Sequence, residues 1–193
     1  TGLHAVVGIL AALRARDDQG IGQKVELNLL SSTLSALVNQ ASAYISAGVI
    51  PKAMGNAHPS IAPYQVFDAK DKKFIVAVGS DPQFVKFAGV ISPDLIGDKR
   101  FVTNQLRVQN RDQLAIKLSE VFATNTAAHW ITTLGKVNIP AGAINNIKEA
   151  FDLAQSLGLN SVVEVDGVKS VANPITFSKT PVEYRLAPPN LKG

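Results

Sequence analysis

The chain has 193 residues, a formal net charge of +4, no cysteine, 46% hydrophobic and 18% charged residues, enough to bury a core in one domain or two small ones and too apolar for a disordered chain. The lack of thiols excludes a disulfide scaffold or a thiolate metal site and fits a reducing cytoplasm, while the modest positive charge needs no reading beyond solubility. Basic residues are dispersed, with no run denser than Lys70-Asp71-Lys72-Lys73, aromatics are 6%, and no apolar run approaches the roughly 18 residues of a membrane span, so neither nucleic acid nor a membrane is an expected partner.

The opening segment predicts a helix. Leu3, Val6, Val7, Leu10 and Leu13 recur at helical spacing, with Arg14 and Arg16 near the end where cations suit the dipole. Asp17-Asp18-Gln19-Gly20-Ile21-Gly22 stops it. Val25, Leu27 and Leu29 then alternate with Glu26 and Asn28, as in a short strand with one buried face. A second helix is expected from about Leu30, with Leu34, Leu37, Val38, Ala41 and Ile45 as its apolar stripe and Gly48 as its end. Helix, turn, strand and helix form the rhythm of an α/β layer. Such a piece cannot close a sheet alone, so residues 1–48 are expected to complete a sheet begun elsewhere.

From Val49 the character changes. Pro51, Gly55, Pro59 and Pro63 crowd together, as in a linker leading into a new unit. Tyr64–Phe67 and Phe74–Gly79 predict a hairpin across the turn 68–73. Asp81-Pro82 reads as an N-cap with proline at the first helical position. Asn110 with Gln113 three residues on reads as a capping-box variant before Leu114, Ile116, Leu118, Val121 and Phe122. Another helix starts at Thr126 and carries Trp130, Ile131 and Leu134. Pro140 leads into a strand, Ala141–Ile144, whose small apolar residues suit burial, and Lys148–Gln155 follows as a short helix. Residues 49–155 are thus expected to form a small α+β domain.

The last section, 156–193, holds a hairpin and a tail. Ser161–Val165 and Val168–Val171 flank Asp166-Gly167, the strongest two-residue turn signal in the chain. A strand-like Ile175-Thr-Phe177 then gives way to Thr180-Pro181 and Pro188-Pro189-Asn190-Leu-Lys-Gly193. This extended tail has little to pack on by itself and is expected to return to the α/β domain that residues 1–48 complete.

General catalytic signatures fail. Gly20-Ile-Gly22-Gln-Lys-Val25 lacks the third glycine of a dinucleotide loop and precedes a strand instead of following one. No metal-spaced histidines or carboxylates and no Gly-x-Ser-x-Gly occur. Among the three histidines, His4 and His129 read as structural or surface residues. His58, between prolines in a stiff loop, is the site candidate, and a loop-bracing hydrogen bond is an equally good reading of it.

The stretch Met54-Gly-Asn-Ala-His-Pro-Ser-Ile-Ala-Pro-Tyr-Gln-Val-Phe67 resembles the Gly-Asn-x-His-Pro…Pro-Tyr segment of the class III CoA-transferases, the CaiB/BaiF type that also includes α-methylacyl-CoA racemases. Further matches lie in order along the chain. They are Thr1-Gly2…Arg16, Gly20-Ile-Gly22-Gln23-Lys-Val25, Asp98-x-Arg100-Phe101, Asn104-x-x-Arg107-x-x-Asn110-Arg111, Trp130, Pro140, Pro174-Ile175…Thr180-Pro181 and Pro188-Pro189. One departure is Asp71-Lys72-Lys73, where the family has an Asp-Gly turn.

The resemblance implies an α/β protein of two domains that dimerises as interlocked rings. Residues 1–48 would belong to its large Rossmann-like domain. It also implies a nucleophilic aspartate just upstream of Thr1, outside this sequence, so that the chain by itself is expected to be inactive. The aspartate attacks a CoA thioester, passes through a mixed anhydride to an aspartyl-CoA thioester, and a second carboxylic acid then takes the CoA. The expected substrates are an acyl-CoA and a carboxylic acid, with no cofactor and a homodimeric, cytoplasmic enzyme. The substrate-binding residues implied are Gly55, Asn56, His58 and Pro59 in the covering loop, Tyr64 at its entrance, and Asp81. The alternatives are a racemase, whose pattern Ala77-Val78-Gly79…Pro82-Gln83-Phe84 has an acidic residue where Asp81 stands, and a non-catalytic remnant or interaction module.

Overall fold

The computed structural model describes residues 1–189, so the tail expected over Asn190–Gly193 lies outside the described residues. Two compact units divide the chain, one ending at Gly55 and the other starting at Asn56.

The first unit is three helices. Helix α1, Gly2–Gln19, ends on Gly20, whose φ of 71° is the left-handed cap that glycine adopts without penalty. Residues 21–28 form no strand, which corrects the expectation there. A strand exists only through ladder hydrogen bonds to a neighbour, and none of the described residues pairs with this segment. It instead folds back on α1, where a Cβ on Gly8 would stand 3.0 Å from Val25 Cγ1. The single helix expected to follow is two helices. Asn28 accepts a hydrogen bond from Ser31 N at 2.7 Å and caps α2, Leu29–Ala36. The chain breaks at Leu37–Val38, with Val38 at φ 44°, before α3, Asn39–Ala47, ends on left-handed Gly48. A β-branched residue at positive φ is strained, and no glycine or proline marks the break in advance.

The second unit carries the core. Strands β1, Tyr64–Asp68, and β2, Lys73–Ala77, pair antiparallel with Phe67 opposite Phe74, and β3, Ala141–Ala143, adds to the other edge of β2. The hairpin is as expected. β3 is a half-buried edge strand, whereas its small apolar residues suggested full burial. Helix α4, Asp81–Ile91, starts on Ser80, whose side chain accepts from Gln83 N, so the cap lies one residue before the position expected. Helix α5 spans Asn104–Gln109 and α6 Arg111–Phe122. Asn110 makes no side-chain cap to α6. Its amide donates to Leu106 O at 2.9 Å, and the expected capping box is absent. Helix α7, Ala127–Gly135, is capped by Thr126 as the sequence suggests.

Leu114, Leu118 and Phe122 recur four residues apart and face the sheet. Phe122 is the centre of the core. Its ring meets Phe74 edge-on at 4.9 Å, Phe67 at 5.0 Å and Trp130 at 5.5 Å, and its carbonyl accepts from Trp130 Nε1 at 2.9 Å. The indole N–H is thereby satisfied inside an apolar cluster, as burial requires. Asp71, in the β1–β2 turn that departs from the family pattern, accepts from Ala127 N at 2.7 Å and so docks the first amide of α7.

Helix α8, Ile147–Ser156, begins with a capping box between Asn146 and Glu149. The hairpin β4–β5, Val162–Val165 and Val168–Val171, turns through Asp166 at φ 51° and Gly167 at φ 77°, the primed turn expected of Asp-Gly. Residues 175–177 form no strand among the described residues. No described helix is long and apolar enough to cross a membrane.

Candidate functional site

The segment from Asn56 to Tyr64 is a loop set on the free edge of β1. Asn56 Oδ1 accepts from Val66 N at 2.8 Å, so its side chain satisfies an edge amide that β2 does not reach. His58 N donates to Tyr64 O at 2.9 Å and Val78 N to Pro63 O at 2.9 Å, which closes the loop against the hairpin. Gly55, the last residue of the first unit, has a φ of 63°.

His58 and Tyr64, two of the residues implied by the resemblance, come together. Their rings stack at 5.2 Å, 10° from parallel. The backbone amide of Ser60 donates to His58 Nδ1 at 3.2 Å. An amide can only donate, so Nδ1 is the acceptor, and the neutral imidazole carries its proton on Nε2. The bracing reading of His58 and the site reading are therefore compatible. Nδ1 braces the loop, and Nε2–H is left as a directed donor on a half-buried ring.

Asp81 lies elsewhere in the network. Its Oδ1 accepts from Asn104 N at 2.8 Å and from Arg107 Nη2 at 2.8 Å. It thus sits at the positive end of α5, on an amide that the helix itself leaves unpaired. Arg107 is completely buried. Its Nε donates to Ala62 O at 2.8 Å, its Nη1 to Phe101 O at 3.0 Å, and its guanidinium lies 4.3 Å from the centroid of the Phe84 ring. Asn104 spans the same loop, donating to Ser60 O at 2.8 Å and accepting from Ala62 N at 3.2 Å. Arg111 Nη2 reaches Pro59 O at 3.1 Å.

Asn104, Arg107 and Arg111 occur in the motif that carries the resemblance, but sequence reasoning attaches no role to them. The signal available was an Arg in a helical pattern, which usually faces solvent. Here it is fully enclosed. His4 is exposed on α1, and His129, also exposed, stands edge-on to Trp130 at 4.9 Å. Neither joins the loop. Among the described residues no group of three or more His, Cys, Asp or Glu could hold a metal ion, and every buried side-chain nitrogen or oxygen has a hydrogen-bond partner.

Comparisons with known proteins place the chain in a family. A family model described as CoA-transferase family III matches residues 1–193. The chain is 37% identical over 197 residues to a succinyl-CoA:glutarate CoA-transferase of Mus musculus, covering 99% of this chain and 45% of that protein. It is 34% identical over 178 residues to an acetyl-CoA:oxalate CoA-transferase of Acetobacter aceti, covering 92% and 46%. A crystal structure of a CaiB/BaiF family protein from Brucella suis superposes with a TM-score of 0.75 at 37% identity, covering 94% of this chain and 48% of that one. The chain spans about half the length of the curated relatives it matches.

Proposed function

The chain belongs to CoA-transferase family III, and from that premise we propose that the protein moves CoA between an acyl-CoA thioester and a carboxylic acid through a covalent aspartyl-CoA intermediate. The aspartate is assigned to the part of the protein that this chain does not span, because the relatives are about twice as long. The 193-residue chain taken alone is then expected to be inactive.

The observation that carries this reading is the loop from Asn56 to Tyr64, braced through His58 Nδ1 and presenting Nε2–H. A carboxylate attacking a thioester puts negative charge on the acyl oxygen, and a pre-oriented donor stabilises that charge without reorganising. We assign this role to His58, with Tyr64 at the entrance. Asn56 and Pro59 shape the loop, and Gly55 allows close backbone approach at its start. Asp81 acts from behind, through Arg107. The loop also excludes water, which would otherwise hydrolyse the anhydride. A cytoplasmic homodimer is part of the proposal. The absence of cysteine and the uncovered apolar helix faces of residues 1–55 support it.

The test takes its substrates from the relatives' names. The full-length protein is incubated with acetyl-CoA or succinyl-CoA and with oxalate or glutarate, and the acyl-CoA products are separated and weighed by mass spectrometry. New acyl-CoA formed in step with loss of donor is the expected result. Exchange of an α-proton without a new acyl-CoA would replace this reading with a racemase, and no reaction with any acyl-CoA would sink both.

A further inference from the structure

We infer that Asn104, Arg107 and Arg111 are positioning residues for the loop, setting where His58 presents Nε2 by holding the carbonyls of Pro59, Ser60 and Ala62. This rests on the reading that the loop covers the reacting thioester.

Asn104 and Arg107 lie on α5 and Arg111 is the first residue of α6, and their targets lie 44 to 52 residues earlier in the chain. The loop has no ladder of its own to fix these carbonyls. A connection with no positional task would leave them to water. Arg107 is the strongest indication. Burying a guanidinium is unfavourable, and apolar packing in place of an entire buried ion pair is often as stable, so stability alone does not account for an arginine at this position. What the guanidinium adds is direction. Its planar fork engages Ala62 O, Phe101 O and Asp81 Oδ1 through three different nitrogens, which fixes the loop relative to α4 and α5 together. Asp81 completes the arrangement by tying Arg107 to the first amide of α5. The loop is thus built on helices, the rigid support that precise placement of a catalytic donor needs.

Displacing a catalytic group by about 1 Å costs up to ~10²-fold in rate. In the full-length protein, Asn104→Ala and Arg111→Met are each expected to lower kcat about tenfold while KM for acyl-CoA moves less than about threefold, since ground-state contacts to CoA remain. Arg107→Lys, which keeps charge but loses the fork, is expected to exceed both. Asn104 and Arg111 are half-buried, so the test does not depend on Arg107→Lys folding. A purely structural role would also lower the melting temperature and leave kcat per folded molecule unchanged. The decisive readout is the double variant: in a His58→Ala background the further loss from Asn104→Ala should vanish, because the clamp acts through His58. Folded Asn104→Ala and Arg111→Met enzymes with wild-type kcat, or losses that multiply with that of His58→Ala, would overturn the positioning role alone. If His58→Ala itself turns over at the wild-type rate, the reading beneath it fails and takes this inference with it.

Discussion

Residues 1–55 and residues 56–189 are similarly helical in sequence pattern and opposite in packing. In the first unit Ser32 is the only buried residue, and Leu3 and Ile45 keep 84% and 80% of their surface exposed. In the second, seventeen buried apolar residues form one cluster from Phe67 to Ile139. Periodicity in a sequence tells which face of a helix is apolar. It does not tell whether the covering surface lies in the same chain. The first unit has apolar faces and nothing of its own to bury them against, so its helices rest on local hydrogen bonds and caps. The second folds around its own core.

The largest test of this contrast is a matched pair of truncations. Phe122→Ala opens a cavity among Phe67, Phe74 and Trp130 and is expected to cost about 3–5 kcal/mol. Leu10→Ala, on a residue 61% exposed, is expected to change the stability of this chain by less than about 0.5 kcal/mol. Urea denaturation of the 193-residue chain measures both. A cost for Leu10→Ala comparable to that for Phe122→Ala would mean that α1 is packed in solution, and the contrast would collapse.

A smaller effect sharpens the same comparison at the level of one hydrogen bond. Thr126 caps α7 through His129 N, and Asn28 caps α2 through Ser31 N. Loss of either cap typically costs about 1 kcal/mol of helix stability. That cost appears in global unfolding only where the helix is coupled to a core. Thr126→Ala should therefore shift the cooperative urea midpoint, while Asn28→Ala should leave it in place and speed amide exchange within α2 alone. Equal midpoint shifts would show that the two units unfold together.

What was legible in the sequence follows from the range of the forces involved. The β4–β5 turn, the helix stop within Asp17–Gly22, the Gly48 helix end and the Thr126 cap depend on residues within a few positions of one another, and each is found as read. The expected strand at Val25–Leu29 needed a partner strand, which alternation alone cannot supply. The break at Leu37–Val38 carries no glycine or proline to announce it. Asn110 and Gln113 have the right spacing for a capping box, but Arg100 and Leu106 take their side chains instead. In the candidate site, the placing of His58 and Tyr64 in one loop was legible because they sit six residues apart in a proline-stiffened segment. The clamp was not, because Arg107 meets Ala62 only through the fold.

The smallest effect is electrostatic, and it lies in one unit. Asp71, Asp94, Asp98 and Glu149 are the carboxyls held below their ordinary range, and all four belong to the second unit. Asp98 is the clearest. Arg100 donates from its side chain, with Nε 2.9 Å from Oδ1, and from its backbone amide at 3.1 Å, and these bonds hold the carboxyl at about 2 against an ordinary 3.8. A folded value below the unfolded one means that the ionised pair adds stability above about pH 4. That contribution is lost as the pH falls from there through about 2, because the unfolded chain then binds the proton that the folded one resists. The Arg100 side chain is 44% exposed, so water and salt weaken the pair and its effect stays small. Asp98→Asn should lower the melting temperature slightly and by a constant amount above pH 5. The gap from wild type should narrow between about pH 4 and pH 2, and shrink at every pH in molar salt. Melting curves at half-unit pH steps read this directly. A gap that persists undiminished at pH 2 would show that Asp98 holds its loop by shape and not by charge.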